Sequence, residues 1–142
     1  MIYLGSDHSG FALKEAVKKI LQVRGETIED CGTNSSNASD YPIFAKKVAD
    51  KVSKDELAKG ILFCRSGQGM AITANRYKNI RAAVAWDKMS AAESRRDNDS
   101  NILSLPVDFV SMEKAIEIID IWLETPFSEL ERHRERIDQI DK

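Results

Sequence analysis

The stretch "ILFCRSGQGMAIT", residues 61–73, decides the fold. Its first three residues are apolar and lead into Cys64, as expected of a strand that is covered on both faces of a parallel sheet. Gly67 and Gly69 then mark a tight turn, and a helical pattern follows. The stretch therefore predicts a strand, a glycine-rich turn and a helix in succession, which is the start of a βαβ unit.

The same alternation extends in both directions along the chain. In the first helix, apolar residues recur at helical spacing, and Lys14, Glu15, Lys18 and Lys19 are placed on the opposite, polar face. The sequence predicts a single domain over 1–142, an α/β Rossmann-like doubly wound sheet of five mostly parallel strands, with helices on both faces and a C-terminal helix. The predicted strands are 2–6, 26–32, 60–64, 81–86 and 101–106, and the predicted helices are 11–23, 43–54, 67–77, 88–96, 111–124 and 128–141.

Composition narrows the class of protein. The chain has 142 residues, a net charge of -2 and 42% hydrophobic residues, which argues against a nucleic acid as the main partner. No apolar run approaches the roughly 20 residues that span a bilayer, and the first residues do not resemble a signal peptide. Cys31 and Cys64 form no CxxC pair, so we expect reduced thiols and a cytoplasmic protein.

In a doubly wound sheet, ligands bind at the carboxyl ends of the strands. This rule selects three loops, "SDHSG" (6–10), "CRSGQG" (64–69) and "DKMSA" (87–91). Glycines at a strand-to-helix turn let the backbone N–H groups approach a phosphate, a carboxylate or a developing oxyanion. The alternative is that these glycines only make a tight turn. A nicotinamide dinucleotide is not expected, because the first strand is not followed by GxGxxG.

Cys64 directly precedes this turn. A helix start and a neighbouring cation, Arg65, can lower the pKa of a thiol and make it a base or a nucleophile. The alternative is a buried small apolar residue, which is the commoner role of a free cysteine. Cys31 lacks such neighbours and is assigned the second role.

Other candidate residues lie in the first loop and near the C-terminus. Asp7 and His8 end the first strand, where a histidine can bind an anion or move protons, although a plain capping turn is the alternative. Arg132 and Arg136 are four residues apart, a spacing that can clamp a phosphate or merely form a solvated helix face. With two histidines in the chain and no convincing ligand spacing, no metal site is predicted.

Taken together, these motifs resemble the family of type B ribose-5-phosphate isomerases and galactose-6-phosphate isomerase subunits. The similarity covers nearly the whole chain. The segments that carry it are "GSDHSGFALK", "DCGT", "DYP", "GILFCRSGQGMAITANR", "IRAAVAW", "SRRDNDSNIL" and "TPFSELERHRERI".

The resemblance implies a sugar-phosphate isomerase that acts in the pentose phosphate pathway and needs neither a metal nor another cofactor. It implies interconversion of ribose 5-phosphate and ribulose 5-phosphate by proton transfer through an enediol. It further implies a homodimer or tetramer whose active site lies between two subunits. The only other partner implied is the sugar phosphate itself.

The family's functional residues can be carried over to matching positions. Cys64 matches the base, although another branch of the family uses a glutamate where Met70 stands. Ser66 matches a hydroxyl near the reacting oxygens, and Asn98 an asparagine from the partner subunit. The amides of Gly67, Gln68 and Gly69 match the groups that hold the enediolate. The other implied substrate-binding residues are Asp7, Tyr41, His8, Arg132 and Arg136, the last three at phosphate-binding positions.

Three positions depart from the family pattern. Asp97 stands where the family has the histidine that opens the sugar ring. It is a candidate catalytic residue that can still relay protons, although an ordinary carboxylate is a poor acid at neutral pH unless its environment raises the pKa. Asp108 replaces an arginine and is expected to repel phosphate. Arg65 replaces a residue that is commonly glycine. One hypothesis unites these changes: Arg65, with Arg96, supplies the missing positive charge from another direction.

Three readings of the function follow. The first is the ribose 5-phosphate isomerase, and its close alternative is an isomerase of a six-carbon, galactose-6-phosphate-like sugar. The second is a non-catalytic sugar-phosphate binding protein on the same scaffold, since Asp97 and Asp108 can also reflect lost activity. The weakest is a nucleotide-binding module of the universal-stress type.

Overall fold

The computed structural model describes residues 1–142 and contains five strands and six helices. The predicted alternation of strands and helices is confirmed, as is the additional helix at the C-terminus. The strands are β1 (Ile2–Ser6), β2 (Ile28–Asp30), β3 (Lys59–Cys64), β4 (Ala82–Val84) and β5 (Ile102–Pro106). The helices are α1 (Phe11–Val23), α2 (Tyr41–Ser53), α3 (Gln68–Ala74), α4 (Lys88–Asn98), α5 (Met112–Glu124) and α6 (Glu131–Ile140).

The strands form one sheet in the order β2-β1-β3-β5-β4. Every pairing in it is parallel, so the prediction of a mostly parallel sheet holds for all five strands. The chain passes from β1 to β2 on one side of it, and then crosses from β2 to β3 on the other side of β1. In the resulting register Ser6 lies opposite Phe63. The carboxyl ends of β1 and β3 are therefore neighbours at the topological switch point, where such sheets bind ligands.

Two apolar cores sandwich the sheet. On one face, Val17 of α1, Ala91 of α4 and Trp122 of α5 are buried in a common cluster. On the other face, Val48 of α2 and Met70 of α3 pack in a second cluster. Because α1 and α3 cover opposite faces, the loops that lead into them diverge and leave a crevice. None of the six helices combines the length and apolar character needed to cross a membrane.

A buried charge network ties α1 to β2. Lys14 was expected on the polar face of its helix, and this is wrong, since its side chain is fully buried. Its Nζ donates to both carboxylate oxygens of Asp30 at 2.7 Å and to Glu15 at 3.0 Å. Lys18 also donates to Asp30, at 2.7 Å. A buried ammonium is tolerated only when it is paired in this way, so this cluster anchors the edge strand to the helix.

Several element ends differ from the sequence prediction. Helix α2 begins at Tyr41 rather than 43, with Pro42 in the first turn as expected. Strand β4 is limited to Ala82–Val84 because it lies at the sheet edge and pairs with β5 alone. Helix α6 begins at Glu131 rather than 128, since Glu129 has a φ of 62°, outside the helical region.

Candidate active site

The turn between β3 and α3 is held firmly by its neighbours. Gly67 has a φ of 75°, in the left-handed region that favours glycine, and it caps the start of α3. Its carbonyl accepts a 2.7 Å hydrogen bond from the buried hydroxyl of Ser104. The loop after β5 adds two 3.0 Å backbone bonds, from Val107 N–H to the Cys64 carbonyl and from Asp108 N–H to the Arg65 carbonyl. The amides of the turn are thus fixed in place before any ligand arrives.

Cys64 lies at the base of this turn, with only 5% of its surface exposed. Burial raises the pKa of its thiol, and the negative charge of Asp7 adds to this effect. Hydrogen bonds from the backbone N–H groups of Met70, Gly67 and Ser66 act in the opposite direction, to lower it. Of the two alternatives that the sequence left open, the lowered pKa is therefore not found, because burial outweighs the three amides. These amides nevertheless point at the sulfur, where they stabilise a thiolate once it forms.

Arg65 is engaged with the residue that was expected to repel phosphate. Its Nε donates to a carboxylate oxygen of Asp108 at 3.0 Å, and both side chains are largely exposed. The two substituted residues thus neutralise each other at the rim of the turn. Arg65 lies at the carboxyl edge of the sheet, whereas Arg96 lies in the last turn of α4. One chain therefore does not bring Arg65 and Arg96 together, and their joint supply of positive charge in a site shared between two copies stays a prediction.

The loop after β1 lies beside Cys64. Asp7 is buried, and its Oδ1 accepts hydrogen bonds from Ser9 Oγ at 2.6 Å and from Gly10 N–H at 3.0 Å. Asp7 therefore closes a local turn, but it is not the surface helix cap that the sequence left as an alternative, because the N-cap of α1 is Gly10 and has no side-chain cap. His8 is exposed, and its Nδ1 lies 3.2 Å from the backbone of Ser39. This contact holds the imidazole at the mouth of the crevice.

Tyr41 packs directly over the glycine-rich turn. A Cβ atom built on Gly69 would lie 2.6 Å from Cε2 and Cζ of the Tyr41 ring. Only a glycine allows this contact, since real Cβ atoms do not approach that closely. The second glycine of the motif therefore serves a close approach, and the phenol of the half-exposed Tyr41 is placed over the amides of the turn.

A ligand-sized cleft of about 430 Å³ opens on the other side of the turn. Ser66 and Gln68 line it, together with Trp86 and Phe109, both of which are largely exposed. Sequence reasoning assigned these two aromatic residues no role. Their position in the loops after β4 and β5, at the sheet edge where ligands bind, could have marked them as candidates.

The remaining predicted residues lie at the opposite edge of the sheet. Helix α4 runs back along the sheet to Asn98, whose carbonyl accepts from Arg81 Nε, just before β4, at 2.9 Å. The end of α6 is tied to the same edge, where Asp141 accepts from Asn79 N–H at 2.8 Å. The residues placed there by α4 and α6 are Asp97, Asn98, Arg132 and Arg136. One chain therefore does not bring them together with Cys64.

A second cleft, of about 340 Å³, marks this opposite edge. Asp97, Asn98 and Arg136 line it together with His133. Sequence reasoning gave His133 no role. His133 is three residues from Arg136, and residues at this spacing share one helix face, so the sequence could have marked it as a candidate.

Comparison with known proteins covers almost the entire chain. The family model described as Ribose/Galactose Isomerase matches residues 2–140. Ribose-5-phosphate isomerase B of Escherichia coli is 41% identical over 139 residues, which cover 98% of this chain and 93% of that protein. A putative sugar phosphate isomerase of Bacillus subtilis is 40% identical over 98% of this chain and 93% of its own.

Solved structures agree with this match. A ribose 5-phosphate isomerase from Thermotoga maritima has a TM-score of 0.95 and 45% identity, covering 99% of this chain and 96% of that one. Ribose-5-phosphate isomerase B from Mycoplasma genitalium, solved with bound ribulose 5-phosphate, has a TM-score of 0.94 and 37% identity, covering 98% of this chain and 92% of that one. Because the family model spans nearly the whole chain and both the sequence and the fold match over almost their full length, this chain belongs to the ribose/galactose isomerase family.

Proposed function

We propose that this protein interconverts ribose 5-phosphate and ribulose 5-phosphate by proton transfer through an enediolate, with Cys64 as the base. The observation that carries the proposal is the buried thiol beneath a rigid turn whose backbone N–H groups are aimed at its sulfur. The 41% identity to the Escherichia coli isomerase over nearly the full chain supports the same substrate. The two free cysteines fit a reducing compartment, and we propose a cytoplasmic location.

The proposed reaction takes place at the glycine-rich turn. The Cys64 thiolate removes the C2 proton of the open-chain aldose, and the electron pair moves onto the C1 carbonyl oxygen. The amides of Gly67, Gln68 and Gly69 stabilise this developing oxyanion, which carries charge only during the reaction. The thiol then returns the proton to C1. The Ser66 hydroxyl moves the remaining proton from O2 to O1, which yields the ketose.

The proposal includes a homodimer with shared sites. Cys64, Asp7, His8 and Tyr41 lie at the carboxyl edge of the sheet, and Asn98 and Arg136 lie at the other. A two-fold dimer brings the carboxyl edge of one copy against the opposite edge of its partner, and it does so twice. In that arrangement Arg132 and Arg136 join His8 to form the phosphate site.

Mixing two inactive variants tests the shared site. Cys64→Ala and Arg136→Ala should each be nearly inactive alone, because every site in either homodimer lacks one residue. In an equimolar mixture that has exchanged subunits, half of the dimers carry one intact site, so activity should return to about a quarter of the wild-type value. Turnover of ribose 5-phosphate before and after denaturation and co-refolding measures this. A mixture that stays inactive contradicts a site shared between copies.

The experiment that tests the activity is ribulose 5-phosphate formation by the purified wild-type protein, beside Asp97→His. Clear wild-type turnover supports the proposal. If only Asp97→His is active, the natural substrate is another sugar phosphate, such as a six-carbon one, or one already open. Silence from both proteins favours a second candidate, a sugar-phosphate binding protein. The raised pKa of Cys64 is the observation in favour of that candidate, since a neutral thiol is a poor base.

A further inference from the structure

We infer that the cleft beside Trp86 is a second binding site, which takes a nucleoside monophosphate such as adenosine monophosphate (AMP) and thereby lowers turnover. The catalytic turn forms one wall of this cleft through Ser66 and Gln68, whereas Cys64 and Tyr41 do not line it. The binding part of the inference is independent of the proposed function. The effect on turnover rests on that function.

The sheet topology provides a crevice at this place. Strands β3 and β5 are parallel neighbours, and Cys64 lies opposite Pro106 at their carboxyl ends. Helix α3, which follows β3, packs with Met70 on one face of the sheet, and α5, which follows β5, packs with Trp122 on the other. The loops after β3 and β5 therefore diverge, as those after β1 and β3 do, and such divergence creates a ligand crevice. The cleft of about 430 Å³ opens here and has the size of a small-molecule site.

Two aromatic residues on a fixed backbone line the cleft. The N–H of Trp86 donates to Ser90 Oγ at 3.1 Å, and that of Phe109 donates to the Pro106 carbonyl at 2.9 Å. Trp86 and Phe109 are nevertheless 58% and 72% exposed, although the other tryptophan of the chain, Trp122, is completely buried. Exposed aromatic faces inside a cleft are stacking surfaces for a planar ring, and every nucleobase offers such a ring.

The polar lining adds a cation and an amide that have no partner within the chain. Lys114 and Gln68 donate hydrogen bonds through their backbone N–H groups, while the Lys114 ammonium and the Gln68 carboxamide pair with no other group. Two carboxylates of the adjoining loops are already engaged, since Asp108 pairs with Arg65 and Asp87 caps α4. An ammonium binds phosphate as a point charge, and a glutamine amide pairs with the edge of adenine. The cleft therefore suits a base that carries a phosphate group.

Ser66 connects the cleft to the reaction. Its hydroxyl accepts a 3.3 Å hydrogen bond from Gln68 N–H, and it is the group proposed to move the proton from O2 to O1. A ligand that engages this hydroxyl removes it from the substrate. We therefore expect saturating AMP to lower kcat by about tenfold or more, with little change in the KM for ribose 5-phosphate. A ligand that competed for the substrate site would raise KM instead.

Tryptophan fluorescence of the native oligomer tests the binding. The chain has two tryptophans, and because Trp122 is fully buried, quenching by an added ligand reports Trp86. The titration uses saturating ribulose 5-phosphate, which keeps AMP out of the substrate site. We expect saturable quenching by AMP and none by inorganic phosphate, because the phosphate alone does not stack.

Variants measured by calorimetry identify the residues that bind AMP. Trp86→Ala should bind AMP about tenfold more weakly or worse, the effect of losing one stacked base, whereas Trp86→Phe keeps an aromatic face and should retain most of the affinity. Lys114→Gln should bind about threefold more weakly, as expected for an exposed ion pair. Lys19→Gln changes an exposed lysine of α1 and should bind like the wild type.

Each outcome decides a part of the inference. Absence of quenching by AMP overturns it, as does equal affinity of the wild type and Trp86→Ala. If acrylamide cannot quench Trp86 in the native oligomer, a partner copy covers the cleft and the inference fails. Loss of AMP binding on addition of ribulose 5-phosphate places AMP in the substrate site and also overturns it. Binding without an effect on kcat overturns the connection through Ser66. AMP binding by a wild-type protein that shows no isomerase turnover supports the second site while the proposed function fails.

Discussion

Replacement of Cys64 by alanine should lower turnover of ribose 5-phosphate by about 10²–10⁴-fold, the range that one general base contributes. Binding of the sugar phosphate should persist, because the amides of the turn and the phosphate-binding residues remain. Steady-state kinetics and calorimetric titration with ribulose 5-phosphate measure the two effects separately. Cys31→Ala is the matched control, since burial raises the pKa of the Cys31 thiol to about 11 and this residue lies outside the turn. Equal activity of wild type and Cys64→Ala contradicts the assignment of the base.

The raised pKa of Cys64 also predicts how kcat/KM depends on pH. Burial holds the pKa of Cys64 above its ordinary value, and only the thiolate is the active base. The active fraction of the free enzyme therefore grows as the pH rises toward that pKa. We expect kcat/KM to rise about tenfold per pH unit between pH 6 and pH 8, where the thiol is still mostly protonated. A profile that is flat across this range would show that the base titrates elsewhere.

Asp30→Ala should cost about 3–5 kcal/mol of unfolding free energy, the usual penalty for breaking a buried ion pair from one side. The reason is Lys14, whose side chain is fully buried and donates to both oxygens of Asp30. Without that carboxylate, the ammonium keeps only Glu15 as a charged partner. Urea unfolding followed by circular dichroism measures the loss.

A neighbouring residue of the same strand is the control for this effect. Glu29 pairs with Lys51 at 3.1 Å, but both side chains are exposed, so Glu29→Ala should cost at most about 1 kcal/mol. If the two variants lose the same stability, burial of the Lys14 network has no energetic importance.

Lowering the pH should remove the stabilisation that the Asp30 carboxylate gives to the wild-type protein. Burial acts to raise the pKa of Asp30, but the hydrogen bonds from Lys14, Lys18 and Gly32 N–H outweigh burial and lower it. A lowered pKa in the folded state means stability that is present above the pKa of the unfolded carboxyl and is lost as pH falls through the folded value. The stability difference between wild type and Asp30→Ala should therefore shrink below about pH 4.

The sequence was sufficient for the fold because its signals are local. Apolar runs, helical spacing and glycine positions predicted all eleven elements and the carboxyl edge of the sheet as the site. The observed ends of strands and helices differ from the predicted ones where tertiary contacts determine them, as at β4, which pairs on one side only. The burial of Lys14 was not predictable either, because its charge partner Asp30 is sixteen positions away and meets it only through the pairing of β2 with β1.

The candidate site was predictable in its residue types but not in its electrostatics. Cys64 and the glycine-rich turn follow from one continuous stretch of sequence. The sign of the thiol's pKa shift depends on burial, which sums over both faces of the sheet. The pairing of Arg65 with Asp108 joins two loops that lie far apart in the chain. The separation of Asp97 from Cys64 depends on the direction of α4, which becomes meaningful only once the sheet order is known.

The register between β1 and β3 also has a consequence for folding kinetics. Ser6 lies opposite Phe63, so this pairing closes a loop of more than fifty residues before it gains any hydrogen bond. Parallel, long-range pairings of this kind slow folding, because the chain entropy is lost before the contacts compensate for it. During synthesis, the loop after β1 must therefore wait for β3 to emerge. The crevice beside Cys64 forms only when β3 pairs with β1.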